Sequence, residues 1–180
     1  MSSEKECLGV QMEKNEDRLG SLFPAIMQGE ELHAAIHRAD KHHYYGSIMK
    51  QYLKNKMNNR SIGDFFEKRG IRKIALYATS ELAEMVIKDI ALHGSQVEIT
   101  AIGDKHADRY MKEFCGCKIV SLHELKKDYV NREFEKIMVC SVFFSNEIFD
   151  ELMQAGIKQE DIISVVSVIF SQQAAERGLK

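Results

Sequence analysis

KIALYATSELAEMVIKDI, residues 73–90, changes character halfway along. Lys73 to Ala78 form a short apolar run, and the stretch from Glu81 to His93 that follows is amphipathic and long enough for several helical turns. A run of that length without polar alternation reads as a strand buried on both faces, and the stretch behind it reads as a helix that covers one of them. The same unit recurs downstream. Further runs are VEITAIG (Val97 to Gly103), KIVS (Lys118 to Ser121), KIMVCSV (Lys136 to Val142) and DIISVVSV (Asp161 to Val168). Between them lie Ala107 to Phe114, Leu122 to Tyr129 and Asn146 to Ala155, each of helical length. Strands alternating with helices predict a three-layer α/β domain around a parallel sheet of about five strands. Right-handed crossovers reduce the topologies to a few, of which the order 3-2-1-4-5 is expected. In that order a crevice opens beyond the carboxyl ends of the first and fourth strands.

Upstream of this domain the pattern differs. The chain is polar and unpatterned to about Asn15, then helical from Glu30 to Asn58. Tyr45, Ile48, Met49, Tyr52 and Leu53 fall on one face, with Lys50, Gln51, Lys54 and Asn55 on the other, so the apolar stripe must be buried against something. Ser61 is placed to cap a short helix through Lys68, with Asp64 completing a capping box and Gly70 closing the helix. The expected organisation is a polar tail and helical arm over 1–70, the α/β domain over 71–170 and a polar tail over 171–180.

Composition sets the outer bounds. The chain has 180 residues, 44% hydrophobic and 29% charged, with 25 Lys and Arg against 27 Asp and Glu. That is the balance of an ordinary globular domain with no overall field to gather nucleic acid or an anionic membrane, and neither is expected as a partner. The start is charged and lacks a signal-like apolar run, and no segment reaches the roughly 18 apolar residues that span a bilayer, so a cytoplasmic location is expected. Four scattered cysteines do not make a disulfide framework.

The candidate site is the turn after the first strand. In G-x-G-x-x-G/A the first glycine permits a tight turn, the second lets a pyrophosphate approach the backbone, and the third allows close packing of helix on strand. The equivalent positions here are Ala78, Ser80 and Ala83, enclosing Thr79, Glu81 and Leu82. Small residues are kept at all three, yet none is glycine. Ala78 and Ser80 do not take positive φ cheaply, and Ser80 is expected to project a side chain where a ligand would press. Glu81 and Glu84 already complement the dipole of the helix that would attract a phosphate. Asp104, about 20 residues further on, stands where a carboxylate accepts hydrogen bonds from a ribose, and its simpler role is as a cap for the segment starting at Lys105. Lys105, His106, Arg109 and Lys112 add positive charge beside it. Phe143, Phe144 and Ser145 follow the fourth strand. Because strand side chains alternate, one ring must face away if the other enters the core, and an aromatic at the crevice mouth stacks on a base or simply covers the sheet end.

Other constellations are weaker. His33 and His37 lie four apart on the arm, but Ala34 stands where the H-E-x-x-H arrangement needs a glutamate, and no metal site is assigned. Cys115-Gly116-Cys117 lacks a second pair at zinc spacing and reads as a turn into the third strand, with one cysteine buried. Ser141 and Ser145 have no nucleophile elbow. No catalytic residue is assigned.

The run SIGDFFEKRGIRKIALYATSELAEMVIKDI, then AIGDK, FCGCKIVSLHEL and SNEIFDELMQAGI, resembles the Rossmann-like domain found beside bacterial glycosyltransferases and other surface-polysaccharide proteins. The likeness covers Tyr45 to Ile169. It implies a site for a sugar nucleotide or NAD(P) at Ala78, Ser80, Ala83 and Asp104, in a protein linked to glycan assembly. Alanine and serine in place of the loop glycines depart from that pattern. The leading reading is a non-catalytic accessory or regulatory module that binds a nucleotide-type ligand or a partner protein, such as a glycosyltransferase, through the arm. A second is an NAD(P)-dependent oxidoreductase or epimerase-like enzyme, opposed by the missing glycines and by the lack of a Tyr-x-x-x-Lys pair. A third is a structural homo-oligomer formed through Tyr45, Ile48 and Tyr52.

Overall fold

The computed structural model describes residues 38–107 and 112–177. The expectations for the polar start, for His33 and His37, for Arg109 and for the middle of the 107–114 segment lie outside the described residues. Two compact units divide the chain, 1–44 and 45–180. Helix α1, residues 38–57, contributes exposed residues 38–44 to the first, and all that follows concerns the second.

After α1 come α2 (Ile62–Glu67), β1 (Lys73–Tyr77), α3 (Glu81–Leu92), β2 (Glu98–Gly103), β3 (Glu113–Phe114), β4 (Cys117–Val120), α4 (Leu122–Val130), β5 (Lys136–Val139), α5 (Ser145–Gln154), β6 (Ile162–Ser164) and α6 (Val165–Arg177). The sheet order is β3-β4-β2-β1-β5-β6. Every pairing is parallel except β3 with β4. Removing β3 leaves the 3-2-1-4-5 order expected from the sequence.

Strand alternation sorts the core into two. Ile74 and Leu76 of β1, Ile102 of β2 and Met138 of β5 face one side, where Ile48, Ile62, Phe66, Val86, Ile90, Val165 and Ile169 cover them. Ala75 and Tyr77 of β1 and Ile137 and Val139 of β5 face the other, under Leu125 of α4 and Leu152 of α5. Helices therefore cover both faces, and each buried aliphatic side chain contributes about 1.5–3 kcal/mol.

Three local expectations change. The DIISVVSV run is strand only through Ser164; Val165, Val168 and Ile169 are then buried at helical spacing along α6. Glu113 and Phe114, expected to end a helix, pair instead with Lys118 and Cys117. The inward face of α1 is also rotated from the apolar stripe. Leu53 is 58% exposed, while Asn55 is 2% exposed and donates to the Ile169 carbonyl at 2.7 Å. Gln51, also buried, donates to Asn55 Oδ1 at 3.0 Å. Polar groups enter the core here because each finds a partner.

The stripe expected to form a homo-oligomer is engaged within the chain. Ile48 is fully buried, Tyr45 donates to Glu81 at 3.1 Å, and Tyr52 donates to Asp89 at 3.1 Å. Asp89 ties three helices together: its buried carboxylate accepts from Tyr52 and Lys56 of α1 and from the Ile62 N–H at the start of α2. The α2 start matches its sequence signature, with Ser61 and Asp64 forming a reciprocal capping box. Gly63 completes the contact, since a Cβ there would lie 2.4 Å from Ser95 Oγ.

Candidate functional site

At the carboxyl end of β1 the chain turns sharply into α3, between β2 on one side and β5 on the other. Ala78 makes the turn with φ +77°, a left-handed conformation that costs a residue bearing a Cβ about 1–2 kcal/mol. Its N–H donates to the Gly103 carbonyl at 2.8 Å, which anchors the turn to β2. Thr79 comes next. Its N–H and hydroxyl both donate to Asp104 Oδ2, at 2.9 and 2.7 Å. Ser80 then returns to extended backbone and caps α3, accepting from the Ala83 N–H at 3.2 Å while its hydroxyl donates to the Cys140 carbonyl at 2.7 Å.

These contacts revise two expectations about the turn. The first fingerprint position keeps the left-handed backbone without glycine, held by the bonds on either side of it. The second needs no positive φ, and the Ser80 hydroxyl points at the end of β5 as a cap, not outward as a barrier.

Asp104 is 9% exposed. Oδ2 holds Thr79 and Oδ1 accepts the His106 N–H at 2.8 Å. Its own N–H donates to the Val120 carbonyl of β4 at 3.1 Å, so one residue links β1, β2 and β4. Burial on its own would raise this carboxyl, but the Thr79 hydroxyl and the Thr79 and His106 amides together hold it below the usual aspartate value. The structure thus gives Asp104 the capping contact expected for the segment at Lys105, and adds a clamp on the candidate turn. Gly103 makes the close approach feasible, because a Cβ there would lie 2.7 Å from the Tyr77 ring and 2.6 Å from Leu125.

Around this frame the remaining candidates form an open rim. Ala78, Thr79 and Ser80 are half-buried, while Glu81 and Lys105 are exposed. Glu81 accepts from Tyr45, and Glu84 pairs with Lys88, so both acidic groups of the first turn of α3 have partners. Ala83 is fully buried and packs α3 onto the sheet. Phe143 and Phe144 are both exposed, at 43% and 63%. Neither ring enters the core, because β5 ends at Val139 and the pair lies beyond the strand. Ser145 opens α5, whose preceding residue, Phe144, supplies no side-chain cap. The carbonyls of Cys140 and Val120, which hold the site in place, carried no sequence signal because any residue type supplies them.

Elsewhere, a cavity of about 450 Å³ is lined by Arg60, Asp64, Phe65, Lys68, Arg69, Ser171 and Gln172. It lies on the amino-terminal side of the sheet, away from the crevice. Three of its charged groups have structural tasks: Arg69 stacks on Phe65 at 3.6 Å, Arg60 donates to the Gln172 carbonyl, and Asp64 completes the α2 cap. Among the described residues no helix is long and apolar enough to cross a membrane.

Solved structures to which this chain shows similarity include RSP, a Rex-family repressor. It is 11% identical over 59% of this chain and 58% of that chain, with a TM-score of 0.43. RSP in complex with β-NADH is 12% identical over 64% of this chain and 68% of that chain, at TM-score 0.42. UDP-D-quinovosamine 4-dehydrogenase from Vibrio fischeri is 12% identical over 57% of this chain and 86% of that chain, at TM-score 0.38. The chain thus spans less than two thirds of the length of the first of these. No match was found among curated proteins. The model of the family described as C2185-like, N-terminal, matches residues 70–163, just over half of the chain, from before β1 to β6. The chain belongs to the C2185-like, N-terminal family.

Proposed function

We propose that this chain is a non-catalytic module that binds a nucleotide-type ligand, a dinucleotide or a sugar nucleotide, across the carboxyl ends of β1, β2 and β5. The observation that carries this reading is the β1–α3 turn. It keeps a costly left-handed residue at Ala78, fixed by Gly103, Asp104 and Cys140, at the point where strand order reverses.

Other features favour the same place. α3 directs its first turn to the crevice, the amino end of α5 has no side-chain cap, and Phe143 and Phe144 present ring surface beside it. Lys105, exposed beside Asp104, supplies a cation. The resemblance of the 45–169 stretch to domains of surface-polysaccharide proteins supports a role as an accessory to glycan assembly.

Differential scanning fluorimetry against NAD(H), NADP(H), nucleoside diphosphates and sugar nucleotides tests the reading. A true ligand at a hundred times its Kd adds about 2.7 kcal/mol to stability. A flat response to every compound at millimolar concentration would end the proposal.

A further inference from the structure

The sequence Phe114-Cys115-Gly116-Cys117 folds as the tip of a β-hairpin. Phe114 and Cys117 face one another across the β3–β4 ladder, leaving Cys115 and Gly116 as a two-residue connection. Their φ values are +50° and +80°. Positive φ at both central positions defines a type I′ turn, for which asparagine or glycine is the usual first residue. Cys115 takes the place that asparagine or glycine usually holds.

The turn also sets the distance between the thiols. The second central residue of a type I′ turn has ψ near zero, close to the left-handed helical conformation. Helix geometry of either hand separates the Cα atoms of its two neighbours by ~5.4 Å. Disulfides span Cα separations of about 4.4–6.8 Å. Cys115 is exposed, Cys117 is half-buried, and both thiols are free.

We propose that Cys115 and Cys117 are a thiol–disulfide exchange site that takes a low-molecular-weight disulfide, such as glutathione disulfide, as its co-reactant. Cys115, at the exposed tip, is the attacking group. Its thiolate displaces one glutathione thiolate and forms a mixed disulfide. The Cys117 thiolate then attacks Cys115 Sγ, closing the intramolecular bond and releasing the second glutathione thiolate. In sum two protein thiols are oxidised and one glutathione disulfide is reduced to two thiols, which take up the two protons. Burial first, and the neighbouring Cys115 second, push the Cys117 thiol up, which suits it to resolving and not to first attack. The tightness of a ring closed across one residue keeps the bond reducible.

The test is direct because Lys112 and Lys118 flank the pair, so trypsin releases both cysteines in peptide 113–118. The folded full chain is incubated with glutathione disulfide, its remaining thiols are blocked with N-ethylmaleimide, and it is digested without reductant. The expected peptide is two hydrogens lighter than the dithiol and unblocked, and dithiothreitol before blocking restores two maleimide adducts. Cys117→Ser is expected to trap a lasting glutathione adduct on Cys115. Recovery of the wild-type peptide with both thiols blocked, or with glutathione still attached, overturns the proposal. Cys140, fully buried in the core, serves as the unreactive internal control.

Discussion

Ala78 holds a conformation that its own chemistry disfavours, and glycine would hold it without steric cost. Replacing Ala78 with glycine removes about 1–2 kcal/mol of left-handed strain and returns part of it through the more flexible unfolded chain. The expected outcome is a gain of roughly 0.5–1 kcal/mol in chemical denaturation; a loss of stability would show that the packing of the Ala78 methyl against the core outweighs its strain. Asp104 carries the opposite expectation. Asp104→Asn keeps an acceptor but loses the charge that draws in Thr79 and His106, at a cost of about 1–2 kcal/mol near neutrality. Because folding lowers this carboxyl, its stabilisation is fully present above the unfolded aspartate value of about 3.9 and is lost as pH falls through the lower folded value. The gap between wild type and Asp104→Asn should therefore be widest above about pH 5 and close on acidification below pH 4. Urea titrations across that range check it, and a gap independent of pH would refute the role of the charge. The place of both residues was legible in the sequence, since an apolar run ended at one and an expected strand at the other. Their bonds were not, because β1 and β2 become neighbours only in the folded sheet.

Helices α1, α2 and α3 meet at the Asp89 carboxylate, which is wholly buried. Removing it with Asp89→Ala leaves the Ile62 amide and the Tyr52 hydroxyl without their acceptor and leaves Lys56 only its contact with His93, and each orphaned buried group costs about 1–3 kcal/mol. A melt of the variant checks this, with Lys56→Met as a companion. A loss below 1 kcal/mol in Asp89→Ala would mean that water replaces the carboxylate. Asp89 drew no attention in the sequence, being one acidic residue on an amphipathic helix. Gln51 and Asn55 were placed on the outer face of α1 for a similar reason: hydropathy assigns amides to water, whereas the carbonyl of Ile169 makes one of them an inside residue. The α6 boundary was hidden differently. Its first residues are β-branched and favour strands by propensity, yet packing of Val165, Val168 and Ile169 against the sheet selects helix.

Across the molecule, strand order and layering followed from the alternation of apolar runs and amphipathic stretches, because buried parallel strands are apolar on both faces and crossovers have one hand. The antiparallel strand was not visible, since two residues carry no period. The crevice was placed by the same topology and the turn at Cys115–Cys117 was read as well, whereas the β3 partner that makes it a hairpin emerged only from the strand pairing. The sheet also ends abruptly on both sides, with β3 two residues long and β6 three. An open rim of so few amides offers almost no template on which a foreign strand could grow, so the folded chain should resist the edge-to-edge polymerisation to which long, flat sheet borders are prone.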